Sequence, residues 1–263
     1  IATRSGDAAA PPRPRLSMAN FAPLKRHMFD CLDRFVEEHR LEPPFLDVGC
    51  GAGDVAEHLA RRGWSGTAID ASSTAIERAR ERLAPYPGVD VRLVRLEDLD
   101  GTWPTVLMWD VLEHLDGDRA ALACVARLMA PGGRLLLAVP SNPREWRWDD
   151  DFYGHVRRYT VDGLRARLAE AGLEAVAFED FTFPVYWAMR RAYTRLKRAA
   201  PPPADAHAAT MASATRNAWD LSFVSRIADR SAALWTPINR LQHRWFRSAT
   251  GRGHEFFALA AKR

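Results

Sequence analysis

The sequence predicts an α/β fold with a mainly parallel sheet and helices on both faces. Two observations carry this. Between about residues 20 and 180, short apolar runs of strand length alternate with segments whose apolar residues recur at helical spacing. The first of these runs ends in the glycine-rich stretch FLDVGCGAG, where a strand hands over to a helix. The chain has 263 residues, enough for one large domain or for a core carrying an insertion. At 47% hydrophobic and 27% charged residues, wholesale disorder and collagen-like structure are excluded. The apolar run near Leu135–Val139 is strand-sized, and no run approaches the roughly 18–20 residues of a membrane-spanning helix.

The elements follow in order. Leu24, Met28, Leu32 and Phe35 recur at helical spacing and predict a helix over Leu24–Glu38. Phe45–Val48 reads as the first strand and Val55–Arg62 as a helix. Thr67–Ile69 is strand-like, and Ser72–Leu83 is a helix with Ser72 or Ser73 as its N-cap. Val89–Val94 alternates, Val106–Trp109 has the pattern of a buried strand, and Asp118–Met129 is helical. Pro131-Gly132-Gly133 is expected to end that helix and turn into a fifth strand at Arg134–Val139. Thr160–Ala171 is a helix stopped by Gly172, and Leu173–Phe178 follows as a strand. Helical stretches near 184–199 and 217–247 then flank Pro201–Pro203 and an Ala-rich linker to about Ser213. The stretch HEFFALA, His254–Ala260, reads as a final strand.

This order divides the chain. Residues 1–19 are polar and proline-rich without a hydrophobic centre, the pattern of a flexible arm rather than a secretory signal. Residues 20–183 and 251–263 form the core, and 184–250 form an insertion too long for a hairpin loop. Residues 181–263 hold 14 basic and 4 acidic side chains, whereas residues 1–180 hold 23 basic and 29 acidic ones. A basic segment rich in Trp and Phe suits an anionic membrane surface, nucleic acid or an acidic substrate; the plainer reading is a solvated amphipathic face. Cys31, Cys50 and Cys124 are widely spaced and lack a CxxC pair, which argues against a disulfide scaffold or a cysteine zinc site. The expected location is cytoplasmic, with peripheral membrane contact as a variant.

The glycine turn carries chemistry. Gly49, Gly51 and Gly53 sit where backbone can approach a ligand closely and a new helix offers unpaired N–H groups. Asp70, at the end of the second strand, can accept hydrogen bonds from both hydroxyls of a ribose. A nucleoside-containing cofactor follows, and three features favour S-adenosylmethionine over a nicotinamide dinucleotide. The spacing is GxGxG rather than GxGxxG. Asp47 adds negative charge beside the turn, which suits a sulfonium and an ammonium and would repel a pyrophosphate. Lastly, WDVLEH follows the fourth strand and APGG leads into the fifth.

The segments FLDVGCGAGDVAEHLA, TAIDAS, VLMWDVLEHLDGD, RLMAPGGRLLLAVP and HVRRYTVDGLRARLAEAGL cover roughly residues 44–175. Together they resemble the class I S-adenosylmethionine-dependent methyltransferases, of the large group that includes the ubiquinone-pathway enzymes. That resemblance implies a Rossmann-like, doubly wound seven-stranded sheet with the last strand antiparallel. It places Asp47, Gly49, Gly51 and Gly53 around the methionine moiety, Asp70 on the ribose, and Leu96 and Glu97 beside the adenine. Cys50, Ala71, Trp109 and Asp110 complete the expected donor-binding set. One departure is Arg95, where relatives often carry an acidic residue. Residues 184–250 match no motif of the family.

Methyl transfer from a sulfonium is an in-line displacement, so the protein mainly aligns donor and acceptor and excludes water. A hydroxyl acceptor also needs its proton removed. His155 and His114 are the candidate bases, with packing or capping of the Thr160 helix as the plainer role for His155. Arg157 and Arg158 could pair with an acceptor carboxylate or phosphate. Tyr159, Tyr186 and Trp187 are expected at the acceptor, with Phe183, Trp219, Phe223 and Trp235 lining an apolar site under the insertion. Asp110, Glu113 and His114 would share one face if their turn were helical, which suits a divalent cation, although a metal is not expected. The expected function is methylation of an oxygen or nitrogen of a small-molecule acceptor, in biosynthesis of secondary-metabolite type. A lipid-linked acceptor, for which Pro184–Arg198 would serve as an interfacial helix, and a non-catalytic cofactor-binding protein are the alternatives. A nucleic-acid substrate is disfavoured because Asp110-Val111-Leu112 replaces the Pro-Pro-aromatic motif of base methyltransferases.

Overall fold

The computed structural model describes residues 22–197 and 232–262. The expected N-terminal arm, Pro201–Pro203, the linker to Ser213, Trp219 and Phe223 lie outside them.

Seven strands form one sheet in the order β3-β2-β1-β4-β5-β7-β6. They are β1 Phe45–Val48, β2 Gly66–Asp70, β3 Val89–Leu93, β4 Trp103–Trp109, β5 Met129–Pro140, β6 Leu173–Asp180 and β7 Glu255–Lys262. The pairs β3–β2, β2–β1, β1–β4 and β4–β5 are parallel, while β7 runs antiparallel to both β5 and β6. The chain order reverses about β1, where β2 and β3 extend one way and β4 the other. In an open α/β sheet that reversal opens a crevice at the carboxyl ends of the strands.

Helices cover both faces: α1 Ala22–Glu38, α2 Asp54–Arg61, α3 Ser73–Leu83, α4 Asp118–Leu128, α5 Trp148–Tyr153, α6 Val161–Glu170, α7 Val185–Leu196 and α8 Ala232–Phe246. Because side chains alternate along a strand, each strand feeds two cores. Leu46, Val48, Val106, Met108, Leu135 and Leu137 pack with Leu122, Val125 and Leu164 of α4 and α6. Phe45, Leu107, Leu136, Phe257 and Leu259 pack with Leu32, Phe35 and Leu59 of α1 and α2. Asp47 is the polar side chain of β1 on this second face, 1% exposed.

Most elements lie within a residue or two of their expected bounds, with three differences. The Pro131-Gly132-Gly133 stretch lies inside β5, which begins at Met129 opposite Trp103; a register slip between Trp103 and Thr105 and a positive φ of 72° at Gly132 absorb the irregularity. Helix α5 was not anticipated, since WDDDFY has no apolar period. It is held by Asp150, whose carboxylate accepts the backbone N–H of Arg147 at 2.8 Å. Finally, α7 is not a free interfacial helix. Its Tyr186, Arg190 and Thr194 are buried, one turn apart, against the core.

Arg190 joins α7 to α5. Its guanidinium donates to Asp149 Oδ2 (2.8 Å) and Oδ1 (2.6 Å), to Asp150 Oδ2 (2.8 Å) and to the Glu145 carbonyl (2.9 Å), all out of water. Removing one partner of a buried charge cluster strands the others. Arg190→Met is expected to cost roughly 3–5 kcal/mol, read as a lowered urea midpoint at unchanged slope.

Candidate active site

The chain leaves β1 through Gly49, whose φ of 69° favours glycine, and a Cβ there would stand 2.6 Å from Val111 Cγ2. Position 49 thus lies close against the segment after β4 and admits no side chain. Asp70 closes the neighbouring strand. Its Oδ2 accepts the N–H of Gly51 at 2.9 Å and its Oδ1 the N–H of Ser72 at 2.8 Å. Each oxygen retains a lone pair, so the pinned carboxylate can receive two vicinal hydroxyls. Leu96 and Glu97 lie on a short 3-10 turn following β3, at the same edge of the sheet, and Arg95 forms an exposed ion pair with Glu97. Ala71 is exposed directly after Asp70. Trp109, at the end of β4, stands edge-on to Phe257 (5.0 Å) and tilts toward Phe29 of α1 (6.2 Å). Cys50 is buried and its thiol points to the Gly51 carbonyl; burial pushes it far above the usual thiol range, so it is no nucleophile.

Asp47 tests whether this notch fits the donor. Its Oδ2 is buried without any hydrogen-bond partner. Burial, and then the charge of Asp70, push its carboxyl up to about 7. An orphaned buried acid beside a second carboxylate is a costly arrangement in the free protein. A cationic sulfonium or ammonium nearby would relieve it.

Beyond β4 the site changes character. Asp110 takes a left-handed φ of 51°, which places it outside the 3-10 turn Leu112–His114. The helical face expected for Asp110, Glu113 and His114 therefore does not form. Asp110 instead pairs with Glu255 of β7, a residue the sequence reading missed. Burial, reinforced by the Asp110 charge, keeps Glu255 well above the usual carboxylate range, so its O–H donates to Asp110. Glu113 is fully buried with both oxygens unpartnered, and burial followed by the Asp110 charge raises its carboxyl as well. Ligand atoms of Glu113, His114 and His155 lie within 4.8 Å of one another, close enough to hold a divalent cation.

His155 and His114 meet edge-on, with ring centroids 4.9 Å apart. They are not equivalent. Burial, then the charge of His155, lowers His114 to about 4; it is neutral at pH 7 and a weak proton acceptor. His155 Nδ1 donates to Asp150 Oδ1 at 2.8 Å, which leaves Nε2 as the bare nitrogen, 3.9 Å from Glu113 Oε1. Burial alone would raise Asp150. The hydrogen bond from His155 and the charges of Arg158 and Arg190 outweigh it and hold Asp150 well below the usual range.

The residues expected at the acceptor divide. Arg157 spends its guanidinium on the carbonyls of Leu115 and Asp116. Arg158 is buried and donates to Asp150, to the Ser141 carbonyl (2.8 Å) and to the His254 carbonyl. The Tyr159 ring is buried, its hydroxyl between the Leu112 carbonyl (3.2 Å) and Asp118 Oδ2 (3.1 Å). Tyr186 is buried between α1 and α8, and its hydroxyl donates to Asn239 Oδ1 at 2.7 Å. Trp187 lies under Arg191, 4.3 Å from the ring centroid, and against Phe183. These contacts hold all five side chains within the protein.

A methyltransferase domain family model matches residues 20–177. The chain belongs to that family, whose members use S-adenosylmethionine as methyl donor. Among curated relatives, a ubiquinone biosynthesis O-methyltransferase of Methylocella silvestris is 43% identical over 99 residues, 36% of this chain and 38% of the relative. One from a Caulobacter strain is 34% identical over 140 residues, 45% of this chain and 54% of the relative. The chain thus matches about half or less of the length of these relatives. Among solved structures, the N-methyltransferase NodS of Bradyrhizobium japonicum, in complex with S-adenosylhomocysteine, shares the fold with a TM-score of 0.50 and 23% identity, covering 59% of this chain and 78% of NodS. The [4+2]-cyclase SpnF shares it with a TM-score of 0.55 and 19% identity, covering 89% and 81%. The fold therefore accommodates more than one reaction.

Because an S-adenosylmethionine cation favours ionised Asp47, binding it at low pH must expel that residue's proton. Donor affinity is expected to rise several-fold between about pH 5.5 and 7.5. Titration calorimetry across this range checks it. S-adenosylhomocysteine, which lacks the sulfonium charge, should show a shallower slope, and Asp47→Asn should flatten both.

Proposed function

We propose that this protein transfers the methyl group of S-adenosylmethionine to an oxygen atom of a small-molecule acceptor, with His155 as general base. The observation that carries this reading is the Asp150–His155 pair. A carboxylate held ionised by two arginines fixes the imidazole by Nδ1 and leaves Nε2 free beside the turn that follows β4. A free amine needs no such base, since its own lone pair is the nucleophile; a hydroxyl does. The printed names of the curated relatives, O-methyltransferases, support the same choice.

The donor, when bound, supplies a methyl carbon already activated by positive sulfur. The protein's residues do the rest. Asp70 and the glycine turn orient the nucleoside, and Asp47 favours the cationic end. Trp109 and Phe29 keep water from that side. His155 Nε2 takes the acceptor's hydroxyl proton as the new C–O bond forms, and Asp150 stabilises the imidazolium that results. His114, neutral and edge-on to His155, holds the ring's second face. The acceptor belongs to small-molecule biosynthesis.

Formation of S-adenosylhomocysteine with matched hydroxyl and amine acceptors tests this directly. Turnover is expected with hydroxyl acceptors. In His155→Ala it should fall by about 10²–10⁴ while donor affinity stays within about twofold. Turnover confined to amines, or a His155→Ala variant with full activity, would remove the reading.

A further inference from the structure

Helix α8 carries apolar side chains on both of its sides. Inward, Trp235 stacks on Tyr186 and Phe246 meets Phe183, beside the buried Asn239 and Gln242, and Gln242 donates to the Phe181 carbonyl at 2.7 Å and accepts from the Val185 N–H at 3.0 Å. Outward, one row of positions is apolar. Leu234 is 67% exposed, Ile238 39%, Leu241 51% and Trp245 69%. At 100° per residue these four fall within about 60° of one another and form a stripe about 16 Å long. Scattered exposed apolar residues need no explanation, but a continuous row on one helix face marks an interaction surface.

The charge around the row identifies what it meets. The helix carries Arg240 and Arg244, both exposed, and no acidic residue. By helical angle the two arginines lie together along one flank of the stripe. Residues 181–263 as a whole hold 14 basic and 4 acidic side chains. An apolar row ending in Trp and bordered by arginine matches the headgroup–acyl boundary of an anionic bilayer. A protein partner of like composition would meet positive charge of its own sign instead. No described helix is long and apolar enough to cross a membrane, so contact from the surface is the geometry at hand.

We propose that the outer face of α8 seats this protein on an anionic bilayer, with Leu234, Ile238, Leu241 and Trp245 entering the headgroup–acyl boundary and Arg240 and Arg244 meeting lipid phosphates. The opposite side of the same helix, through Trp235, Thr236 and Asn239, lines a cavity of about 330 Å³ with Pro23, Arg26 and Phe29. Docking on α8 therefore brings that cavity within one helix diameter, about 10 Å, of the lipid surface. The proposal stands apart from the assignment of His155 and holds whichever acceptor is methylated.

Sedimentation of the full chain with vesicles tests it. Vesicles of phosphatidylcholine mixed with phosphatidylglycerol are expected to carry the protein down, and phosphatidylcholine alone to bind it at least about tenfold more weakly. Leu241→Ser with Trp245→Ser should lower the partition coefficient on mixed vesicles by about tenfold or more, with donor affinity unchanged as the control for folding. Arg240→Gln with Arg244→Gln should abolish most of the preference for the anionic lipid. Absence of vesicle binding, or equal binding by the wild type and the serine double variant, overturns the proposal. So does a dimer in light scattering that the serine variant dissolves while vesicles bind neither form, since the row would then belong to a second copy of the chain.

Discussion

Much of the site hangs on one buried negative charge. The carboxylate of Asp150 receives Arg147 N–H at the start of α5, His155 Nδ1, Arg158 and Arg190. Through Arg158 it reaches the ends of β5 and β7, at the carbonyls of Ser141 and His254; through Arg190 it reaches α7. A carboxylate in a dry interior is tolerated only when paired and hydrogen-bonded. Once it is, the same contacts that stabilise the charge fix the backbone on four sides of it. His155, the proposed base, is more exposed than either arginine that pairs with this carboxylate, 14% against 2% for Arg158 and 6% for Arg190, and its orientation follows from where they stand.

The donor notch obeys a second constraint of the same kind. Val111 presses on Gly49, and Asp70 clamps the loop through Gly51, so the turn is closed from above and from the side. What is left unsatisfied is Oδ2 of Asp47, buried without a hydrogen-bond partner and near the charge of Asp70. The free protein keeps a buried acid with one oxygen unpartnered, a cost that an apolar residue of similar size would not carry. Retaining such a group is understandable where a cation is to arrive. The cluster of Asp110, Glu113 and Glu255 repeats the pattern one strand further along, and there the protein relieves part of the repulsion by keeping Glu255 protonated.

The elements were legible because their signals are local. Apolar periodicity, Gly49-Gly51-Gly53 and the N-cap at Ser72, which accepts the Ala75 N–H at 3.3 Å, all act within a few residues. The residues expected to hold the donor are local signals of the same kind, and the structure brings two of them together where Asp70 accepts the Gly51 N–H. Asp150 and Glu255 were not legible. One sits in a run of three aspartates that reads as a solvated loop; its burial depends on Arg190, 40 residues away. The other lies inside HEFFALA, where an acid at the mouth of a core strand was the available signal. Arg157, Arg158 and Tyr159 had the right chemistry for an acceptor, but charge type alone does not say whether a guanidinium meets a ligand or a backbone carbonyl. The outward apolar row of α8 shows a related limit: periodicity reveals that a face is apolar, not which way it turns.

The account requires that the notch bind an S-adenosyl nucleoside. Titration calorimetry of the purified chain at neutral pH, with S-adenosylmethionine, S-adenosylhomocysteine and a nicotinamide dinucleotide in parallel, is the most direct measurement. The expected result is saturable binding at a single site for the first two and none for the third. Silence from both S-adenosyl compounds, or tighter binding of the dinucleotide, would contradict it.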